Sequence, residues 1–133
     1  MIGFAGRLRL VLMSDPLAIC RLEPASGLPT WALEAPYWSV TKTPTEVSVV
    51  CPEAAVPPHV AASRGWRALR FEGPLPLDQT GILASVIAPL AHARISVFAL
   101  GTYDTDYVLI PFAQRLPAIA ALEAAGHTVS AGV

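Results

Sequence analysis

The sequence predicts an α+β fold made of two fused βαββαβ units. Three observations lead to this prediction. The chain has 133 residues, enough for one small domain or for two tightly fused units of about 60 residues each. Its two halves resemble each other at a spacing of about 60 residues. The second half also alternates between strand-like and helix-like patterns in the order β-α-β-β-α-β.

The internal repeat is clearest in two strand-like runs. Residues 45–50 (TEVSVV) correspond to residues 105–110 (TDYVLI), each with a threonine, an acid and an apolar run before a proline. This correspondence pairs Glu46 with Asp106. Residues 61–65 and 122–126 match one position out of step, and each ends at a glycine, as a helix closed by a C′ glycine does. Because the matches keep their order, we infer a duplication with units at residues 1–64 and 65–133.

The second half contains all six elements of such a unit. The apolar residues over 80–93 follow the i, i+1, i+4, i+5, i+8 spacing of one helix face: Ile82, Leu83, Val86, Ile87 and Leu90. Right-handed crossovers place both helices on one face of an antiparallel sheet, which is the ferredoxin-like arrangement. The predicted elements are a strand over 66–72, a helix over 80–93, strands over 95–100 and 106–110, a helix over 116–125 and a strand over 127–130.

The first half departs from this pattern in its first helix. Four prolines, Pro16, Pro24, Pro29 and Pro36, interrupt any helical register there, so the first unit is expected to have a degenerate first helix. The predicted elements of this half are strands over 7–13, 18–22, 38–43 and 46–51, followed by a helix near 59–64.

Composition restricts the partners of the protein. Nine Lys and Arg against ten Asp and Glu give a net charge of −1, which provides no basic surface for nucleic acid. Only 14% of the residues are charged, against roughly 25% in ordinary soluble domains. A short chain with so little charge is expected to bury surface between subunits, so we expect a homodimer.

No segment has the pattern of a signal peptide or a membrane span. Residues 1–13 lack a long apolar core followed by a small-residue cleavage site. The apolar stretch 81–101 contains Pro89, His92 and Arg94 and changes from helical to β-branched character, unlike a spanning helix. We therefore expect a cytoplasmic protein with no membrane partner.

Cysteine and histidine placement does not indicate catalysis or a cofactor. Cys20 and Cys51 each lie in an apolar strand-like run, which favours buried free thiols. A disulfide between them is the alternative. The histidines His59, His92 and His127 match no metal-binding spacing. We expect no metal and no cofactor.

The loop before the first complete helix is a candidate ligand site. Asp78 or Thr80 can cap the free N–H groups at the start of this helix, and Gly81 allows close approach of a ligand. The free N–H groups and the helix dipole attract a carboxylate. Taken alone, the pattern is more typical of an ordinary capped helix followed by a packing glycine than of a ligand site.

Longer motifs resemble the ACT domain family. Residues 78–97 (DQTGILASVIAPLAHARISV) resemble the first loop, helix and second strand of an ACT domain. Residues 101–109 (GTYDTDYVL) and 41–53 (TKTPTEVSVVCPE) resemble motifs of the CASTOR-like ACT subgroup, which includes small bacterial tandem-ACT proteins and cytosolic arginine sensors. The resemblance covers nearly the whole chain and is weakest over 14–36. Gly101 stands where the subgroup usually has serine.

This resemblance implies a regulatory module that binds an amino acid between two ACT units and catalyses no reaction. Ser96 and Val97 would contact the amino-acid head, Thr102 and Asp106 its side chain, and residues 81–83 would form a wall. One complete unit per chain implies a homodimer with second halves side by side. The candidate ligand-binding residues are Asp78, Thr80, Gly81, Ile82, Leu83, Ser96, Val97, Thr102, Asp104 and Asp106.

Two other functions are consistent with the sequence. The chain could be an assembly module that pairs through sheet edges and binds no small ligand. Asp78, Asp104 and Asp106 could instead bind Mg²⁺ or perform acid–base chemistry. Asp104 lies in a tight turn, where aspartate is common for structural reasons, and Glu46 is expected only to cap a strand.

Overall fold

The computed structural model describes residues 6–132, which form two compact units. The N-terminal unit is Asp15–Trp66, and the C-terminal unit comprises residues 6–14 and 67–132. The elements are β1 (Arg9–Leu12), β2 (Leu17–Leu22), α1 (Thr30–Leu33), β3 (Ser39–Lys42), β4 (Val47–Pro52), β5 (Ala61–Phe71), α2 (Ile82–His92), β6 (Phe98–Gly101), β7 (Asp106–Pro111), α3 (Arg115–Ala124) and β8 (Thr128–Ala131).

The C-terminal unit has the α+β fold predicted for it. Its strands lie in the order β8-β1-β5-β7-β6, and β6 and β7 form an antiparallel hairpin. In the predicted apolar stripe of α2, Ile82, Val86 and Leu90 are buried, whereas Leu83 and Ile87 are half-buried. Together with Ala118 and Leu122 of α3, the three buried residues belong to one apolar core. Burying these faces is what holds the two helices to the strands.

Strand β1 joins the C-terminal unit, whereas the sequence analysis assigned it to the first one. It pairs antiparallel with β5 and parallel with β8, and so separates the first and last strands of the βαββαβ unit. Leu8 and Leu10, at 6% and 1% exposed, belong to the same core as Phe71. The pairing of the β1 backbone and the burial of these side chains determine the position of β1. Its partner strands, β5 and β8, are far from it in sequence.

A buried histidine satisfies a carbonyl group that a proline leaves free. Pro89 lies inside α2 and has no N–H for the carbonyl group of Ser85, four residues earlier. His127, only 3% exposed, places its Nε2 atom 2.9 Å from that carbonyl oxygen. Its Nδ1 atom accepts a hydrogen bond of 3.0 Å from the Leu8 N–H, so the proton of the neutral ring is on Nε2. His127 thus joins α2 to the residues that lead into β1.

Apart from the inserted strand β1, the N-terminal unit repeats the strand order of the C-terminal unit with reduced helices. Its strands lie in the order β3-β4-β2-β5, and each adjacent pair is antiparallel. The predicted shortening of its first helix is confirmed, because only the four-residue α1 forms there, directly after Pro29. A separate apolar core contains Ala18, Ala32 and Val49.

The helix predicted near 59–64 is wrong. Residues from Ala61 onward form β5 and pair with β2. Pro57 and Pro58 follow a single 3₁₀ turn, Glu53–Ala55, and prevent it from continuing as a helix. Gly65 (φ +81°) lies within this strand, where its pairing with β2 shifts register, and does not close a helix as Gly126 (φ +99°) does.

The two hairpins show the repeat with an offset of 59 residues, from Ser39 to Phe98 at their first positions. In the first turn, Thr43 Oγ1 accepts a hydrogen bond of 3.2 Å from the Glu46 N–H. In the second turn, Thr102 Oγ1 accepts one of 3.1 Å from the Thr105 N–H. Glu46 therefore corresponds to Thr105, and the predicted correspondence of Glu46 with Asp106 is off by one residue. The true counterpart of Asp106 is the buried Val47.

Both cysteines are free and buried in the N-terminal unit, which confirms the prediction of free thiols. Burial, and to a smaller extent the neighbouring Cys20, raise the pKa of the Cys51 thiol to about 11. Burial also raises the pKa of Cys20, while its hydrogen bond with Cys51 lowers it. Both groups are therefore protonated at neutral pH and are poor nucleophiles.

The apolar stretch over 81–101 is divided between α2 and β6. Within residues 6–132, no helix combines the length and the apolar character required to cross a bilayer.

We expect His127→Ala to lower the free energy of unfolding by about 2–4 kcal/mol, because the Leu8 N–H and the Ser85 carbonyl group both lose their partner. His92→Ala, an exposed histidine in the last turn of α2, serves as the control and should change stability by less than about 1 kcal/mol. Urea unfolding followed by circular dichroism measures both. Equal losses in the two variants would contradict this role of His127.

A double-mutant cycle tests the link to Pro89. Pro89→Ala restores an N–H for the Ser85 carbonyl group, so His127→Ala should be less destabilising in that background by about 1 kcal/mol. Strict additivity of the two substitutions would show that the histidine does not act through this carbonyl group.

The raised pKa of Cys51 predicts a loss of stability at alkaline pH. Below pH 9.0, the ordinary pKa of a cysteine thiol, the Cys51 thiol is protonated in both the folded and the unfolded chain. Between that pH and about 11 the unfolded chain loses the proton first, so unfolding becomes more favourable as pH rises. Stability of the wild type should therefore fall more steeply over this range than that of Cys51→Ala. Equal dependence of stability on pH in the wild type and in Cys51→Ala would contradict the raised pKa of Cys51.

Candidate functional site

A cleft of about 180 Å³ opens in the C-terminal unit, between the loop that precedes α2 and the turn that joins β6 to β7. Half of the ten predicted ligand residues line it: Gly81, Ile82, Leu83, Thr102 and Asp106. The other lining residues are Leu75, Pro76, Leu77, Gln79, Ala84, Tyr103 and Thr105.

Hydrogen bonds fix the two walls of the cleft against each other. The Leu75 N–H donates to the Asp104 carbonyl oxygen at 2.7 Å. The Thr105 hydroxyl donates to the Phe71 carbonyl oxygen, also at 2.7 Å. A Cβ atom on Gly73 would lie 3.1 Å from the same Asp104 oxygen, so this close approach favours glycine. The loop and the turn are therefore held in place before any ligand binds.

One wall is the uncapped start of α2. Gly81 is the N-cap residue, with φ +88°, and no side chain caps the helix. The predicted capping by Asp78 or Thr80 does not occur, since Gly81 occupies the N-cap position in a left-handed conformation that favours glycine. The N–H groups of residues 82–84 precede the first helical hydrogen bond, from Ser85 to the Gly81 carbonyl oxygen. They give this wall a partial positive charge.

The opposite wall carries Asp106, the first residue of β7, which is half-buried. Within residues 6–132 its carboxylate has no hydrogen bond or ion pair, and it is the one carboxylate among the lining residues. A Cβ atom on Gly101, its neighbour across the hairpin, would lie 3.6 Å from Asp106 Oδ1. Because Gly101 has no side chain, it offers this carboxylate no hydrogen-bond partner.

Thr102 has a structural role in the turn. Its hydroxyl donates to the Thr105 carbonyl oxygen at 2.9 Å and accepts a hydrogen bond from the Thr105 N–H. These two bonds orient the turn that presents Asp106.

Five of the predicted ligand residues lie outside the cleft lining. Val97 packs against the core of the C-terminal unit. The other four are exposed: Asp78, Thr80, Ser96 and Asp104. The three acids Asp78, Asp104 and Asp106 do not form a shared site, and the described part of the chain contains no group of three or more His, Cys, Asp or Glu side chains placed to hold a metal ion.

Two apolar residues at the rim of the cleft were not among the residues predicted from the sequence. Tyr103 and Leu77 are 82% and 70% exposed. Tyr103 lies within the motif at 101–109, and Leu77 directly precedes the motif at 78–97. A large apolar residue in a turn is unusual, and this was the signal that could have identified both residues.

Comparisons with known proteins agree with this architecture. The ACT domain family model matches residues 61–124, and a model described as an N-terminal domain matches residues 15–59. Human CASTOR3P is 36% identical over 117 residues, which cover 74% of this chain and 71% of that protein. The human cytosolic arginine sensor for mTORC1 subunit 1 is 43% identical over 47 residues, 35% of this chain and only 14% of the sensor.

Solved structures give the same result. Protein Atu0741 from Agrobacterium tumefaciens has a TM-score of 0.91 at 32% identity and covers 97% of this chain and 96% of its own. The regulatory subunit of aspartate kinase from Thermus thermophilus has a TM-score of 0.60 at 11% identity over 86% of this chain and 94% of its own, a likeness of fold. The chain therefore belongs to the ACT domain family, in the subgroup of the CASTOR proteins.

Proposed function

We propose that this protein is a non-catalytic regulatory module that binds an amino acid in the cleft of its C-terminal unit. One observation carries the proposal: the cleft places an uncapped helix start opposite an unpaired carboxylate. An amino acid has a carboxylate and an ammonium group, and these two walls are complementary to them. The regulatory names of the relatives, an arginine sensor and aspartate kinase subunits, also support this proposal.

The carboxylate of the ligand would bind at the start of α2. Three free backbone N–H groups and the helix dipole favour a negative charge there. No acidic side chain lies in the first turn of α2 to compete with the ligand. Because Gly81 has no side chain, the ligand can approach this backbone closely.

A positive group of the ligand would pair with Asp106. A carboxylate in a partly apolar cleft binds an ammonium or guanidinium group more strongly than one in open solvent. Leu75, Ile82 and Leu83 supply apolar surface beside it. Asp106 would therefore select ligands by charge, and the apolar wall would contact their hydrocarbon part.

A second copy of the chain would complete the site. Leu77 and Tyr103 expose apolar surface at the rim, and β6 pairs only with β7 among the described strands. Only 14% of the residues are charged, so a single chain has few charged side chains with which to cover its surface. We infer a homodimer in which C-terminal units meet at this rim, with the ligand between them. Contacts across this interface would then include the four exposed predicted residues outside the cleft: Asp78, Thr80, Ser96 and Asp104.

Assembly without a small ligand is the second candidate function. The exposed Leu77 and Tyr103 favour it, because apolar rim residues serve a protein interface whether or not the cleft is filled. Ligand binding by the isolated protein distinguishes the two functions.

We expect Asp106→Asn to weaken amino-acid binding at least tenfold while the protein stays folded, since the change removes a charge and keeps the shape. A thermal-shift screen of the twenty amino acids on the wild type identifies the ligand first. At 100 times its Kd, the ligand should stabilise the wild type by about 2.7 kcal/mol.

Glu123→Gln, an exposed acid on α3, is the matched control for this charge change and should bind as the wild type does. The proposal fails if no amino acid stabilises the wild type, or if Asp106→Asn binds with unchanged affinity.

We expect Leu77→Glu to weaken the dimer at least tenfold, because it places a charge in the proposed interface. Leu116→Glu is the control, since Leu116 is 68% exposed and Leu77 is 70% exposed, and it should leave the dimer intact. Light scattering over a range of protein concentrations measures the effect. A monomeric wild type, or equal weakening by both variants, would exclude the proposed interface.

A further inference from the structure

A second cavity, of about 610 Å³, lies in the N-terminal unit and shares no lining residue with the cleft at Asp106. Its walls come from the end of β2, the segment that leads into α1 and the residues where β5 begins. All of these lie within Asp15–Trp66. The volume is within the range of about 300–1,000 Å³ that is typical of small-molecule sites.

This cavity reaches the apolar core of the N-terminal unit. Leu22, Trp31 and Val60 pack against that core and also line the cavity. In the C-terminal unit the ten-residue α3 follows β7, whereas only a 3₁₀ turn and two prolines follow β4 before β5 begins. Because the N-terminal unit has less helix to cover its core, these apolar side chains stay accessible. A molecule bound in the cavity would remove their surface from water, which favours binding.

The side chain of Trp31 presents an unused hydrogen-bond donor. It is half-buried, and its indole N–H has no hydrogen-bond partner among the described residues and is not buried, so an acceptor can approach it. The indole N–H of Trp66, by contrast, donates to Ser63 Oγ at 2.9 Å. An indole combines an apolar ring with a single donor, so it suits a flat apolar molecule that carries an acceptor.

The two side chains of opposite charge in the lining, Arg21 and Glu23, are paired with each other. Arg21 Nη1 lies 2.8 Å from Glu23 Oε1, and Arg21 Nη2 donates to the Thr45 carbonyl oxygen at 3.1 Å. A charged ligand would have to compete with this pair, whereas an uncharged ligand leaves it intact. His59 is the third titratable residue of the lining and is exposed. With this histidine neutral, the lining has no net charge and suits an uncharged ligand.

We propose that this cavity binds an uncharged heteroaromatic compound, which packs on Leu22, Trp31 and Val60 and accepts a hydrogen bond from the indole N–H of Trp31. Apolar contact would provide most of the binding free energy, and the single donor would orient the ligand. The site lies in the N-terminal unit alone and does not depend on the proposed amino-acid ligand of the C-terminal unit.

The test is a titration of the isotope-labelled full-length protein with quinoline and with indole, followed by NMR. Both probes are uncharged two-ring compounds, but only quinoline has a ring nitrogen that accepts a hydrogen bond. Quinoline should bind at least threefold more tightly than indole. It should also move the Trp31 indole N–H resonance downfield and leave the corresponding resonances of Trp38 and Trp66 unchanged.

Three substituted quinolines test the absence of charge. Quinoline-6-carboxylate and protonated 6-(aminomethyl)quinoline keep the ring nitrogen and add a negative or a positive charge, whereas quinoline-6-carboxamide is uncharged. Each charged compound should bind at least threefold more weakly than the carboxamide, because each has to compete with the pair of Arg21 and Glu23.

Trp31→Phe keeps an apolar ring and removes the donor, so it should lower the affinity for quinoline to that of indole for the wild type. Trp38→Phe is the matched control, because Trp38 is 46% exposed and does not line the cavity. If Trp31→Phe fails to fold, Ala61→Phe fills part of the cavity from an exposed position and should weaken quinoline binding at least threefold.

An unchanged Trp31 resonance in the presence of quinoline would overturn the proposal, as would equal affinities for quinoline and indole or tightest binding of a charged quinoline. A Trp31 resonance that moves with protein concentration in the absence of any probe would also overturn it. That result would show that a second copy of the chain covers the cavity.

Discussion

The hydrogen bond from His127 to the carbonyl group of Ser85 connects α2 to the segment that leads into β1 in the C-terminal unit. Pro89 removes the only backbone donor that this carbonyl group would have inside α2, and a buried unpaired carbonyl group destabilises a fold by about 1–3 kcal/mol. His127 replaces the donor and at the same time accepts from the Leu8 N–H. As a result α2 stays helical through the proline, and β1 is fixed beside the same core. The N-terminal end of α2, which forms one wall of the cleft, is positioned by this packing.

Local patterns in the sequence were sufficient to predict the elements whose stability is local. The stripe Ile82, Val86 and Leu90 predicted α2 because burial follows helical periodicity. Residues 61–65 have no such stripe, and their pairing with β2 decides their structure, so the helix predicted there was wrong. The place of β1 also follows from distant partners, β5 and β8, and no local pattern contains that information.

The candidate site was predicted in part for the same reason. Gly81 and Asp106 belong to short motifs and line the cleft, whereas Val97 belongs to an equally clear motif and packs against the core. A motif gives residue types at a spacing, but only the fold decides which side of a strand faces a ligand. The offset of the repeat shows the same limit: a one-residue slip in the alignment paired Asp106 with Glu46, and the turn hydrogen bonds of Thr43 and Thr102 correct it.

The corrected offset explains why only one of the two units has a candidate amino-acid cleft of this kind. Apart from the inserted strand β1, both units have the same strand order, and both have the same threonine-anchored hairpin turn. In the N-terminal unit, however, the counterpart of Asp106 is Val47, which is 2% exposed. Its first helix has four residues, and Pro57 and Pro58 prevent a second one. A helix dipole and a carboxylate are therefore both missing from the corresponding position, so a chain with two related units presents one such site, and a pair of these sites requires two chains.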